Sequence, residues 1–407
     1  MNQKPKQNYT FALIVVFIVL FLIGFITTMN NSMIDFCKQA FGLTEQQGQY
    51  VNTAFYGAYL LSIPFAFLMN KIGYKGTLIL GLAVAGIGFV INSFGIDSAI
   101  SAGSNVYTVF LSCMCLVAMG VVMLQNVANP YVMVLGSPEG GAFRMTLSMA
   151  INSVATTVAP IFITTMILGG EKPAPELVPG PFLGLGVFTL IIGVIIAMLK
   201  LPKIDEGKQA EEAGIKREYK SSVFKYPHVW LGALGIFMYM GLEIGVPSML
   251  SARFALLGET NSETITSFLA FYWGGMMVGR FIGAGILTKF KPRVLLTSCL
   301  SLGALCIAIS LVLADSMAGI WCMIAAGLFH SVMWPLIFNL GLQALGPHTK
   351  AATGIINTGV IGAAVLMPIM GWVVDATGVI IAMNLMFIFY AYIIWFCNFG
   401  SKIGIKE

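Results

Sequence analysis

Residues 10–34 read TFALIVVFIVLFLIGFITTMNNSMI, a run that contains no charged side chain. A helix that crosses the hydrocarbon core of a bilayer needs about 20 predominantly apolar residues. Similar runs recur along the 407-residue chain, in which 58% of the residues are hydrophobic and 10% are charged. Soluble domains carry about 25% charged residues, and the runs lack the short alternating segments of a transmembrane β-barrel. The sequence therefore predicts an all-α membrane protein.

Polar, glycine and proline positions divide the apolar runs into twelve predicted transmembrane spans. These cover 10–34, 47–70, 76–95, 106–134, 143–168, 181–200, 227–251, 264–288, 294–313, 317–344, 351–374 and 379–400. The first span is longer than the apolar part of a signal peptide and has no cleavage site, so we expect it to be retained. Charged residues cluster after the sixth span. The predicted organisation is an N-terminal six-helix half (1–200), a charged cytoplasmic linker (201–225) and a C-terminal six-helix half (226–407).

Cationic residues fall almost entirely on one side of these spans. If both termini are cytoplasmic, 18 of the 22 cations are too: Lys4, Lys6, Lys71, Lys75, Arg144, Lys200, Lys203, Lys208, Lys216, Arg217, Lys220, Lys225, Lys289, Lys291, Arg293, Lys350, Lys402 and Lys406. The opposite side has Lys38, Lys172 and Arg253. Cytoplasmic loops are enriched in Lys and Arg, so we expect cytoplasmic termini. The net charge of +5 then reflects these loops and not a nucleic-acid partner.

The two halves resemble each other at three corresponding places. The matches are Phe55-Tyr56 with Phe271-Tyr272, Ile151-Asn152-Ser153 before Pro160 with Ile356-Asn357-Thr358 before Pro368, and Asn129-Pro130 with Trp334-Pro335, the last pair interrupting the fourth and tenth spans. Repeated halves related by an axis along the membrane normal are common in transporters. A six-plus-six helical protein with a charged central loop has the architecture of the major facilitator superfamily. No catalytic or nucleotide-binding motif is present, so the sequence predicts a transporter and not an enzyme.

Charged side chains inside the spans are candidate functional residues, because burying them in hydrocarbon is costly. Glu243 is the one carboxylate that we place well inside a span, and Pro247 leaves its backbone carbonyl without a helical hydrogen bond. We expect Glu243 to couple transport to a cation or to hold the substrate, with structural pairing as the alternative. Arg280 has a predicted structural or gating role, paired with a helix C-terminus or a neighbouring acid. The cations predicted to secure the cytoplasmic gate are Lys71, Lys75 and Arg144.

Amide and aromatic residues predict a sugar-like substrate. Gln125 and Asn129 lie one turn apart on the same face of the fourth span, and amides both donate and accept hydrogen bonds. Aromatic rings offer flat apolar faces to the C–H side of a sugar ring. Interhelical hydrogen bonding and core packing are the alternatives. For His330, one turn before Trp334, titration near neutral pH and a hydrogen-bonded structural role both stay open. The predicted substrate-binding residues are Asn30, Asn31, Tyr56, Gln125, Asn129, Asn152, Tyr272, Trp273, Trp334 and Asn357.

Several motifs resemble the fucose/glucose-galactose permease family, the fucose:proton symporter branch of the major facilitators. They are AFYGAY (54–59), LQNVANPYVMVLG (124–136), FYWGG (271–275), GRF (279–281) and WPLIF (334–338). The resemblance covers both halves of the chain. It implies sugar uptake across a bacterial inner membrane.

The chain departs from that family at its coupling positions. Proton-coupled members have an Asp where Asn31 stands and a Glu where Gln125 stands, and amides exchange no proton near neutral pH. Gln125 together with Glu243 resembles the sodium-dependent glucose/galactose branch, and Asp35 is the candidate substitute for the missing acid of the first span. Met149 stands where the family has a sugar-binding Gln. This last departure leaves an N-acetylated or less hydroxylated sugar open.

These observations predict a secondary active monosaccharide transporter that needs no cofactor, with Na⁺ as a candidate coupling ion in place of the proton. One alternative is an uncoupled sugar facilitator, and a remote one is a sugar sensor that does not transport. The expected partners are a sugar and membrane lipid. We expect a monomeric, multi-pass protein of the bacterial inner membrane, with its substrate site at mid-membrane.

Overall fold

The computed structural model describes residues 9–43, 45–48, 50–168, 172–202, 204, 219–258 and 262–405, which are helical almost throughout. The α-helices before the linker are α1 (Thr10–Phe41), α2 (Glu45–Gly48), α3 (Tyr50–Gly57), α4 (Ser62–Ala102), α5 (Val106–Val134), α6 (Gly141–Phe162) and α7 (Pro179–Met198). Those after it are α8 (Pro227–Glu243), α9 (Gly245–Leu256), α10 (Ser262–Ile286), α11 (Pro292–Val312), α12 (Met317–His330), α13 (Met333–Gly341), α14 (Thr349–Asn357), α15 (Gly362–Thr377), α16 (Val379–Met383) and α17 (Leu385–Asn398). Most of the predicted linker lies outside the described residues.

Nine helical segments in the described part of the chain are long and apolar enough to cross a membrane. One of them, Tyr50–Ala102, holds both the second and the third predicted span. Gly73 separates the two with φ 71° and ψ 177°, a conformation that glycine reaches because it has no Cβ. The fifth and eighth predicted spans correspond to α6 and α10. The helices are thus consistent with twelve spans, and the all-α membrane class is confirmed.

The fold divides into two compact units. The first comprises the described residues of Met1–Gly141 and Ile151–Lys216, and the second those of Ala142–Ala150 and Arg217–Glu407. The beginning of α6 therefore groups with the second unit. The halves predicted from the sequence, 1–200 and 226–407, describe the repeat and stay a prediction.

Close helix contacts through glycine organise the first unit, in which α4 packs against both α5 and α7. A Cβ atom on Gly120 of α5 would lie 2.5 Å from the backbone nitrogen of Ala85 in α4. A Cβ atom on Gly186 of α7 would lie 2.9 Å from the carbonyl oxygen of Gly86 in α4. Small residues at such crossings let helix backbones approach each other in a membrane, where packing drives association.

Interrupted helices characterise the second unit, in which α8 packs against α13, α14 and α17. The seventh span is interrupted at Ile244, the tenth at Ser331–Val332 and the twelfth at Asn384. The predicted interruption of the fourth span at Asn129-Pro130 is wrong, because α5 continues through Pro130. The tenth span does break, but it does so before Trp334-Pro335.

Candidate functional site

Four polar side chains of the first unit, carried by α1, α3, α5 and the 3₁₀ turn Ala58–Leu61, lie close together. The hydroxyl of Tyr59, on that turn, donates a short hydrogen bond to Oε1 of Gln125 on α5. The hydroxyl of Tyr56 donates to Oδ1 of Asn31 on α1 over 3.4 Å. The rings of Tyr56 and Tyr59 are stacked with centroids 6.1 Å apart. Three of the four side chains, Asn31, Tyr56 and Gln125, are predicted substrate residues; Tyr59 is new.

Two further amide contacts support this first-unit cluster of Asn31, Tyr56, Tyr59 and Gln125. Oγ of Ser62 donates to Oδ1 of Asn126 over 2.8 Å, and Nδ2 of Asn126 donates to the Ser62 carbonyl over 2.9 Å. This reciprocal pair fixes the start of α4 beside α5, one residue beyond Gln125. Nδ2 of Asn30, a predicted substrate residue, lies 3.4 Å from Oδ1 of Asn52 and is fully buried.

Asn129 and Asn152, two more of the predicted amide residues, differ in their hydrogen-bond partners. Asn129 is fully buried, and neither of its amide atoms has a hydrogen-bond partner among the described residues. Asn152 donates from Nδ2 to the Leu20 carbonyl over 2.7 Å and packs against Gly24, so it joins α6 to α1. Asn152 therefore has the interhelical contact that the alternative interpretation describes, whereas Asn129 keeps an amide without a described protein partner.

An ion pair is the central feature of the second unit. Nη2 of Arg280 lies 3.5 Å from Oε1 of Glu243, and the two side chains are 11% and 15% exposed. Nε of Arg280 donates to the Ser331 carbonyl over 3.2 Å, and Nη1 lies 3.5 Å from the carbonyl of Met149. Glu243 is the last residue of α8. The structure thus brings Arg280 both to a neighbouring acid and to an interrupted helix.

Proline explains why the backbone carbonyls of Glu243 and Ser331 accept side-chain donors. A proline has no N–H and leaves the carbonyl four residues earlier without its helical partner. Pro247 stands four residues after Glu243, and Pro335 four residues after Ser331. The hydroxyl of Tyr272 approaches the Glu243 carbonyl at 3.4 Å, while Arg280 takes the Ser331 carbonyl.

A buried hydrogen-bonded chain crosses the same unit. The hydroxyl of Tyr272 lies 2.8 Å from Nδ1 of His330, and Nε2 of His330 makes a short contact with the hydroxyl of Tyr390. The hydroxyl of Tyr239, one turn before Glu243 in α8, donates to the His330 carbonyl over 3.1 Å. His330 is therefore a hydrogen-bonded structural residue.

The predicted aromatic residues of the second unit do not share one environment. Tyr272 is fully buried and Trp334 is 6% exposed, with its ring stacked on Phe338 at 5.0 Å. Both rings are covered in this conformation, and their role in sugar binding stays a prediction. Trp273 is 41% exposed. Asn357 is fully buried, so it also offers no accessible amide here.

The predicted gating residues Lys71 and Lys75 flank Gly73, where the helical geometry of α4 is broken. Nζ of Lys75 donates to the Ala197 carbonyl at the C-terminus of α7 over 2.7 Å, and Lys71 is exposed. Arg144 lies in the first turns of α6. Asp35 belongs to α1, but its side chain lies outside the described part of the structure.

Arg253 is one of the three cations predicted on the side opposite the termini. Its side chain is fully buried, and Nη2 donates to the Ala314 carbonyl, just beyond α11, over 2.7 Å. A cation is favourable there because carbonyls at a helix C-terminus carry partial negative charge.

Sequence reasoning missed Tyr59, Tyr239 and Tyr390. Tyr59 had a usable signal, since it stands three residues after Tyr56 within the AFYGAY motif. Tyr239 stands one turn before Glu243 in the same helix and had a similar signal. Tyr390 had none, because nothing in its apolar span distinguishes it from a core aromatic.

The comparisons with known proteins agree with this architecture. The model of the Major Facilitator Superfamily matches residues 16–360. A glucose/galactose transporter of Brucella abortus is 36% identical, over 98% of this chain and 96% of that protein. The L-fucose-proton symporter of Escherichia coli is 29% identical, over 94% of this chain and 91% of that protein. The crystal structure of the transporter FucP in the outward conformation aligns with a TM-score of 0.81 at 25% identity, covering 97% of this chain and 99% of that one.

These relatives are transporters, and the chain is not an enzyme. The match extends through both units and is as long as the relatives themselves. In sequence and in fold, the chain belongs to the Major Facilitator Superfamily.

Proposed function

We propose that this chain is a monosaccharide transporter that takes up a hexose of the glucose/galactose class by alternating access. The relationship with the Brucella glucose/galactose transporter supports the substrate class. The observation that carries the proposal in this chain is the contact between Tyr59 and Gln125. Because the phenol hydroxyl donates to the amide oxygen, the amide NH₂ group is oriented as a donor for a substrate oxygen.

The chemistry of the first-unit cluster favours a neutral polyol. Gln125, Asn31, Tyr56 and Tyr59 supply donors and acceptors but no formal charge. An anionic substrate would require a cation to balance it in this low-dielectric setting. An N-acetylated hexose is the closest alternative, because Met149 stands where the resemblance to the permease family implies a sugar-binding Gln.

Cation coupling divides this proposal into two forms. The Escherichia coli relative is a proton symporter, but Asn31 and Gln125 have no proton to exchange near neutral pH. Among the described side chains of the spans, Glu243 is then the remaining candidate for coupling transport to a cation, and Na⁺ is the candidate ion. An uncoupled facilitator is the second candidate, and it is favoured by the Arg280 guanidinium that already neutralises Glu243.

The proposed location is the bacterial inner membrane, with both termini in the cytoplasm and the protein acting as a monomer in contact with lipid. The asymmetry of Lys and Arg along the sequence supports this orientation. Selective labelling of a single cysteine added at either terminus, in right-side-out vesicles, tests it.

Uptake into proteoliposomes tests the function. Labelled glucose, galactose, fucose and N-acetylglucosamine are each supplied with an inward Na⁺ gradient, an inward proton gradient or neither. Saturable uptake of a hexose, inhibited by unlabelled glucose or galactose, supports the proposal. Uptake no faster than in protein-free liposomes, for all four sugars and all three conditions, contradicts it. Accumulation above equilibrium in one gradient separates a coupled transporter from a facilitator.

A further inference from the structure

The surroundings of Glu243 form an electronegative site made from interrupted helices. The C-terminal end of a helix carries partial negative charge, and both α8 and α12 end here, at Glu243 and His330. Pro247 and Pro335 release the carbonyls of Glu243 and Ser331 from helical hydrogen bonding. Half-helix C-termini and unwound carbonyls are the groups that hold cations in secondary transporters. A carboxylate among them needs a cation or a bound proton to neutralise its charge.

Arg280 fills this position. Its guanidinium lies 3.5 Å from the Glu243 carboxylate, donates to the Ser331 carbonyl over 3.2 Å and approaches the Met149 carbonyl at 3.5 Å. One planar cation thus contacts a carboxylate and two backbone carbonyls. The guanidinium is a planar cation with five N–H donors, which matches this set of acceptors.

Apart from Arg280, the polar side chains described next to Glu243 are uncharged and hydrogen-bonded. Tyr239 donates to the His330 carbonyl, and Tyr272 contacts His330 and the Glu243 carbonyl. Both nitrogens of the His330 ring face tyrosine hydroxyls. Among the described neighbours, the Glu243 carboxylate is therefore balanced by Arg280 and not by a second titrating group.

We propose that Arg280 is a tethered cation that permanently occupies a half-helix cation site at Glu243, so that the native chain binds neither Na⁺ nor an exchangeable proton there. This inference rests on the proposed function for its transport readout, and it favours the uncoupled form of that function over Na⁺ coupling at Glu243. It predicts a latent site: removing the charge of Arg280 leaves Glu243 and the released carbonyls without a cation. A dissolved ion then becomes necessary.

The experiment compares native chain, Arg280→Gln, Arg280→Lys and the double variant Glu243→Gln/Arg280→Gln in proteoliposomes. The readout is the ratio of sugar uptake in NaCl to uptake in choline chloride, at neutral and at acid pH. Arg280→Gln is expected to change the NaCl-to-choline uptake ratio, or the ratio of uptake at acid to neutral pH, by roughly tenfold or more. A change of this size is typical of breaking a close charge pair. Arg280→Lys, which keeps the charge, and the double variant, which removes both charges, are expected to match the native ratio.

Two results would overturn the inference. One is an unchanged ratio in Arg280→Gln. The other is a Na⁺ or acid dependence of the native chain that disappears in the double variant, which would show that Glu243 already serves a dissolved cation.

Thermal unfolding of the purified protein in detergent keeps the inference separate from the proposed function. NaCl, compared with choline chloride, is expected to raise the melting temperature of Arg280→Gln but not that of the native chain or the double variant. This measurement needs no sugar, so it decides the inference even if no transport is found. Equal salt responses in all three proteins would contradict the tethered cation.

Discussion

Tyr272 and His330 are joined by a buried hydrogen bond of 2.8 Å between the tyrosine hydroxyl and Nδ1 of the imidazole. The opposite ring nitrogen contacts the hydroxyl of Tyr390. The histidine thereby connects α10, α12 and α17 at the point where α12 ends. All three side chains are fully buried, so the contacts serve the packing of the second unit.

Replacement of His330 by Phe is expected to destabilise the protein by about 1–3 kcal/mol, because the hydroxyls of Tyr272 and Tyr390 lose their shared partner. Thermal or denaturant unfolding in detergent measures this. His330→Gln keeps a donor and an acceptor and should recover part of the loss. Equal stability of the native and Phe proteins would show that the two tyrosines find other partners.

Tyr59→Phe is expected to raise the KM for the transported sugar roughly threefold to tenfold. This range corresponds to the loss of one hydrogen bond that contributes about 1 kcal/mol. The maximal rate should change less, because the hydroxyl acts by orienting Gln125. Tyr131→Phe is the matched control. It removes a hydroxyl that donates to the Pro202 carbonyl from the C-terminal end of α5, six residues beyond Gln125, and it should leave KM unchanged. A KM for Tyr59→Phe equal to that of the native chain would argue against Gln125 as a substrate ligand.

Gly120→Ala is expected to destabilise the protein by about 1–3 kcal/mol through overpacking. The new Cβ would lie 2.5 Å from the backbone nitrogen of Ala85, which cannot move without shifting α4. Gly184→Ala in α7 is the control, since nothing lies within 4 Å of its Cβ position. There the higher helix propensity of alanine should be neutral or stabilising by up to about 1 kcal/mol. Similar melting temperatures for both variants would contradict the close crossing.

Ala344→Gly is expected to stabilise the protein by up to about 1 kcal/mol. Ala344 has a φ of 61°, a region in which a Cβ is unfavourable and glycine is not. Ala351→Gly, in the first turn of α14, provides the opposite control and should destabilise by about 0.5–1 kcal/mol. A loss of stability in Ala344→Gly would mean that the alanine side chain contributes packing worth more than the strain.

Helix positions could be predicted from the sequence where polar residues flank an apolar run. The fourth span, 106–134, coincides with α5, and its start is set by Asn105, whose side chain accepts from the Thr108 N–H. The first span was predicted to end at 34 but continues to Phe41, because a mixed polar segment keeps helical geometry until Gly42 adopts φ 61°. Pro130 illustrates the opposite error, since the loss of one hydrogen bond does not end a helix whose neighbours hold it.

The sequence by itself determined the helical membrane class, the family resemblance, the uncharged residues at 31 and 125, and the release of the Glu243 carbonyl by Pro247. These follow from composition and from relations between residues close in the chain. Only the tertiary structure decided which groups meet: that Arg280 neutralises Glu243, that Asn152 bonds Leu20, and that Tyr272 and Trp334 are covered. Such pairings join residues up to 132 positions apart. They depend on how the helices rotate and pack against each other, which no local pattern specifies.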